Sequence, residues 1–114
     1  MNRRYILKDR VPVPCEDLMT WARWWEVNEN RRVADIKMSV STLGEPGERV
    51  CRVSTFFIGL DLNPLSFKPE EPLLFETLVQ GGPLDGTSTR SSTWKEAEER
   101  HEAMVEYVRE SFRR

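Results

Sequence analysis

From residue 93 to residue 112, Trp94, Ala97, His101, Met104, Val105, Val108 and Phe112 recur at helical spacing, while Glu98, Glu99, Arg100, Glu102, Glu106 and Arg109 fall off that stripe. Thr93 followed by Glu96 supplies the S/T-x-x-E signature of a helix start, in which the hydroxyl accepts from an early backbone amide. A helix with one apolar stripe gains most of its stability from the surface that covers the stripe. The rest of the chain must therefore provide one apolar surface.

Two segments are suited to that task. "RVCRVSTFFIGLD" is rich in β-branched and aromatic residues; as a strand it sends Cys51, Val53, Thr55 and Phe57 one way and Arg52, Ser54, Phe56 and Ile58 the other. "LLFETLVQGG" is a second strand ended by Gly81, Gly82 and Pro83, with Leu73, Phe75, Thr77 and Val79 on one face and Leu74, Glu76 and Leu78 on the other. Upstream, "VADIKMSVS" alternates through Ile36, Met38 and Val40 as a half-buried strand, and "LGEPGE" reads as the turn that makes it a hairpin with the next. "PLDGTSTRSS" reads as a turn at Asp85-Gly86 leading to a short extended piece, and "LNPLSFKPEEP" must be a loop.

Nearer the start, Tyr5–Leu7 is β-prone, and Pro12 and Pro14 enforce a second extended stretch. A first helix is expected from Glu16 to about Asn28, with Leu18, Trp21, Ala22 and Trp25 on its buried face. The order of elements predicts a single α+β domain over residues 1–114, an antiparallel sheet of about four strands with two helices packed on one face.

Charge and composition narrow the function. Seventeen basic against nineteen acidic side chains give a net charge of −2, so nucleic-acid binding is not favoured. No stretch approaches a membrane span and "MNRRYILKDR" lacks the apolar core of a signal peptide, so a cytoplasmic protein is expected. Cys15 and Cys51 have no metal-ligand spacing and read as buried thiols; no metal or other cofactor is expected. Glycine-rich phosphate loops, nucleophile elbows and zinc-protease motifs do not occur.

His101, the only histidine, stands on the buried stripe of the last helix and reads as a packed residue bonded to a neighbour. Glu76, a carboxylate between two leucines, needs a partner if its face is covered, and Arg52, Arg90 or His101 could supply one. Glu76 and His101, with Asp61 or Asp85, are therefore the catalytic candidates of a small ligand-binding or hydrolytic protein. The run "WARWW" places Trp24 one position off the first helix's buried face, where it could anchor a protein partner alongside Arg23 and Arg31. Homodimerisation through these tryptophans is a third reading.

The segments "YILKDRVPVPCEDLMTWARWWE", "VSTFFIGLD", "PLLFETLVQGGPLDG" and "STWKEAEERHEAMVE" together resemble a family of small proteins from bacteriophages and prophages that have no assigned activity. The chain departs from the family's pattern in its longer "LNPLSFKPEEP" loop and in having Leu62 and Asn63 where a histidine follows "GLD". The resemblance implies a phage accessory protein. Trp24, the proline-rich 62–72 loop and the absence of a reaction motif lead to the expectation of a non-enzymatic protein-binding module that occupies a host or phage protein surface, one of a defence system for example.

Overall fold

The computed structural model describes residues 3–28, 31–41, 48–61 and 72–112. Along the chain they form β1 (Tyr5–Lys8), β2 (Val11–Pro14), α1 (Leu18–Val27), β3 (Arg32–Ser41), β4 (Glu48–Phe57), β5 (Phe75–Gln80), β6 (Ser88–Ser91) and α2 (Trp94–Ser111). β3 to β6 make an antiparallel meander in sequence order, and β1 and β2 pair as a separate hairpin. The α+β class and the four-stranded sheet are as the sequence predicts. The proposed "LGEPGE" turn and the proline-rich loop fall mostly outside the described residues.

Side-chain alternation decides which face is covered. Cys51, Val53, Thr55 and Phe57 of β4 and Phe75, Thr77 and Val79 of β5 are almost fully buried, and α2 lies over them. That helix starts as its sequence signals, with the Thr93 hydroxyl accepting from the Glu96 amide, and it buries Ala97, His101, Met104, Val105 and Val108. Each large apolar side chain so covered contributes about 1.5–3 kcal/mol.

Two apolar clusters result. One joins Cys51, Val53 and Val79 to Met104, Val105 and Val108; the other joins Phe57, Leu74 and Phe75 to Ala97, with Tyr5, Leu7, Trp24, Val33 and Trp94 packed around it. Leu74 belongs to this second cluster although the alternation assigned it to the Glu76 face; it precedes β5 by one residue, its backbone bonded to Ser91 and Ile58.

In the β1–β2 hairpin, Val11 and Val13 lie opposite Lys8 and Ile6. The two-residue spacing of Pro12 and Pro14 puts both proline nitrogens on the other edge, where no ladder hydrogen bond is lost. Backbone bonds from Tyr5 N to Gly59 O and from Asp61 N to Arg3 O stitch this hairpin to the chain beyond β4.

The first helix departs from the expected arrangement. It runs from Leu18 with Asp17 as its N-cap, Leu18 is 54% exposed, and Trp24 packs edge-on to Phe57 with ring centroids 5.7 Å apart. At about 100° per residue, Trp24 and Trp25 lie to either side of Trp21 within an arc of roughly 100°, so one helix side presents all three rings. Trp24 thereby brings α1 to one end of the face that α2 covers.

Polar tips complete the seat. Trp21 Nε1 donates to the carbonyls of Tyr5 and Gly59, both at 3.0 Å, and Trp25 Nε1 donates to that of Ile58 at 2.7 Å. Gly59 makes this approach possible: its φ is +74°, and a Cβ there would stand 2.9 Å from Trp25 Nε1.

Candidate functional site

The register places Thr55 directly opposite Thr77 on the covered face, under α2. Their hydroxyls are 2.8 Å apart, and Thr55 Oγ1 is 2.8 Å from His101 Nδ1. With the Nε2–H tautomer, Thr77 donates to Thr55 and Thr55 donates to the imidazole, so three groups buried between the two apolar clusters satisfy one another. Burial pushes the His101 pKa down, favouring the neutral ring that this relay needs. His101 is thus a packed residue bonded to a neighbour.

Glu76 points the other way. It lies opposite Phe56 on one side and Arg90 on the other, and its carboxylate is 3.6 Å from Arg90 Nε. Phe75 and Thr77, its neighbours, face α2, so the sheet itself separates Glu76 from His101. The catalytic pairing of Glu76 with His101 is overturned by this alternation. Asp85 is a turn residue whose carboxylate accepts from the Gly81 amide at 2.7 Å, and the Asp61 backbone amide is used in the stitch to Arg3. Among the described residues no group of three or more His, Cys, Asp or Glu side chains is placed to hold a metal ion. Cys15 and Cys51 are both buried and unbonded to each other.

Beside Glu76, the uncovered sheet face carries rows fixed by the same register. Lys37, Arg52 and Gln80 form one row; Asp35, Ser54, Leu78 and Ser88 the next; Arg32, Phe56, Glu76 and Arg90 the third. Val50, 45% exposed, extends this face beyond Arg52. Arg31, Arg32 and Arg52 surround an open concavity of about 650 Å³ whose apolar floor is Phe56 and Leu78. Among the described residues no element covers it.

Charge on this face is unbalanced. Among the described side chains, Arg31, Arg32, Lys37, Arg52 and Arg90 stand against Asp35 and Glu76, in a chain whose total is −2. Asp35 is held by the Arg52 fork, with Arg52 Nε to Oδ1 at 2.8 Å, and further by Ser54 and Arg32, which keeps its carboxyl down at about 2. Lys37 lies directly opposite Arg52, and like charges in that relation oppose strand pairing.

The three residues expected to anchor a partner separate as well. Arg31 lines the concavity, its guanidinium 3.4 Å from the Trp25 ring centroid. Arg23 is exposed on α1 and does not enter that lining. Trp24, expected off the buried face, is half-buried against Phe57. The indoles that were to mediate a homodimer are all engaged inside the chain. Lys37, Phe56 and Leu78 were missed; their signal was the polar or mixed half of each strand's alternation, which acquires meaning only when three strands are aligned.

No family model, no curated protein and no solved structure matches the chain. No helix among the described residues is long and apolar enough to cross a membrane.

Proposed function

We propose that the chain is a non-enzymatic protein-binding module, a phage-type accessory protein working in the host cytoplasm, and that its recognition surface is the uncovered face of the four-stranded sheet. The observation that carries this reading is the row structure of that face: an apolar floor of Phe56 and Leu78, with exposed Val50 beyond it, among described cations that outnumber the carboxylates, and Lys37 set against Arg52. A partner segment with carboxylates flanking an aliphatic or aromatic side chain would relieve the Lys37–Arg52 repulsion and cover the floor. Asp35 and Glu76 interrupt the positive field, which suits a mixed protein surface better than a phosphate backbone. A host defence protein presenting such an acidic segment is the proposed partner.

The test is titration of the labelled protein with an acidic peptide carrying a central leucine, beside a scrambled basic peptide and a single-stranded oligonucleotide at the same ionic strength. The expected result is perturbation of the Lys37, Arg52, Phe56 and Leu78 amides by the acidic peptide alone, lost in Lys37→Glu. Equal or stronger perturbation by the oligonucleotide would replace the protein-binding reading with a nucleic-acid one.

A further inference from the structure

A second concavity lies where the β1–β2 hairpin meets α1, the start of β3 and the start of α2. It has a volume of about 510 Å³, within the range of small-molecule sites. Trp24 and Trp94 contribute aromatic walls, with Leu7 and Val33 beside them, and Arg10 and Arg32 bring positive charge against the single carboxylate of Asp9.

Those walls are fixed in advance. Trp24 meets Phe57 edge-on, Phe57 meets Phe75 at 5.2 Å, and Phe75 meets Trp94 at 6.2 Å, so one continuous aromatic chain through the core holds both tryptophans. The hairpin turn is the unusual part. Asp9 and Arg10 have φ of 50° and 67°, the left-handed conformation a two-residue hairpin turn demands, yet neither is glycine. Aspartate tolerates that region; arginine does so at a cost. The turn nonetheless puts the Arg10 guanidinium 4.9 Å from the Trp94 ring centroid, and no described carboxylate pairs with it. Backbone strain that positions an unpaired cation over an aromatic wall is a mark of a binding site.

We infer that this cleft binds a planar aromatic anion of mononucleotide size, its ring against Trp24 and Trp94 and its negative group on Arg10 and Arg32. Arg10 is then a ligand-binding residue, and the strained turn is the device that aims it. The site shares Arg32 with the sheet-face concavity but none of its Phe56 and Leu78 floor, and Arg10 belongs to this cleft alone.

Four tryptophans give four indole N–H signals, and two of them are built-in controls: those of Trp21 and Trp25 are already bonded to backbone carbonyls. The experiment titrates the protein with AMP, adenosine and inorganic phosphate in turn while those signals are recorded. AMP is expected to move the Trp24 and Trp94 signals and leave Trp21 and Trp25 in place, with adenosine and phosphate each about tenfold weaker because each lacks one half of the recognised chemistry. In Arg10→Gly the AMP response should fall about tenfold while the melting temperature holds or rises, since glycine releases the strained φ. Absence of any Trp24 or Trp94 shift at millimolar AMP overturns the inference. So does phosphate acting as strongly as AMP, or Arg10→Gly that melts lower yet responds to AMP unchanged, the behaviour of a structural strut.

Discussion

The two faces of the four-stranded sheet come from the same strands by the same alternation, and they are opposite in chemistry. On the face under α2, the polar groups at its centre are bonded to one another: Thr55 to Thr77 and to His101. On the other face, Arg52 is drawn to Asp35 and Arg90 to Glu76, while Lys37 is left opposite a like charge. Burial leaves no tolerance for an incomplete set of hydrogen bonds, whereas an uncovered face tolerates electrostatic mismatch because water screens it. The covered face carries the stability; the exposed mismatch is what a partner can relieve.

Adjacent residues on opposite faces break or sharpen that comparison most directly. Phe57, fully buried and in contact with Trp24 and Phe75, should cost about 3–5 kcal/mol when changed to alanine. Phe56→Ala, one residue away on the other face, should cost about 1 kcal/mol or less. Urea denaturation of the two variants measures both, and equal losses would mean that the faces are not distinct.

The next pair tests the polar relay. Thr55→Val keeps the side-chain shape but deprives both Thr77 and His101 Nδ1 of a partner, with an expected loss of about 1–3 kcal/mol. Ser54→Ala, on the exposed face, should stay within about 0.5 kcal/mol by the same measurement.

Acid should also distinguish the faces. His101 has a folded-state pKa below its ordinary value, so the unfolded chain takes up the proton first; stability is complete above about pH 6.5 and declines as pH falls below it. Thermal melts across that range should show the decline. Asp35 acts in the same direction over a lower range: its pKa of about 2 keeps its contribution whole above its ordinary 3.8 and loses it between there and about 2. Asp35→Asn should flatten the second decline and, by removing a charge that raises the His101 pKa, deepen the first slightly.

The smallest effect has the clearest sign. Lys37→Glu turns a like-charged cross-strand pair into an opposite one, and its melting temperature should rise by at most a few degrees while the acidic-peptide response disappears. Lower stability in this variant would remove the argument that Lys37 is held in place for a partner.

Much of this architecture could be read locally. Thr93 and Glu96 marked the start of α2, the period of its stripe named Ala97, His101, Met104, Val105 and Val108 as core, and the alternation of β4 separated its two faces correctly. Those signals succeed because each depends on residues within a turn or two of one another. Trp24 escaped the same treatment because the width of the side a helix buries is set by what it packs against, here Phe57 and the hairpin. The Asp9-Arg10 turn escaped because it lacks the Asn-Gly or Asp-Gly pair that identifies such a turn.

The sequence by itself determined the α+β class, the element order, the capped C-terminal helix and the inward placement of His101, all consequences of backbone periodicity and hydrophobic burial. Tertiary structure alone decided the candidate sites. Whether Glu76 meets His101 or Arg90, whether Lys37 faces Arg52, and whether Trp24 and Trp94 share a cleft depend on strand register and helix seating. The physical reason is that a strand's own pattern fixes which side each residue faces, while its neighbours across the sheet are chosen by pairing with segments far away in the chain.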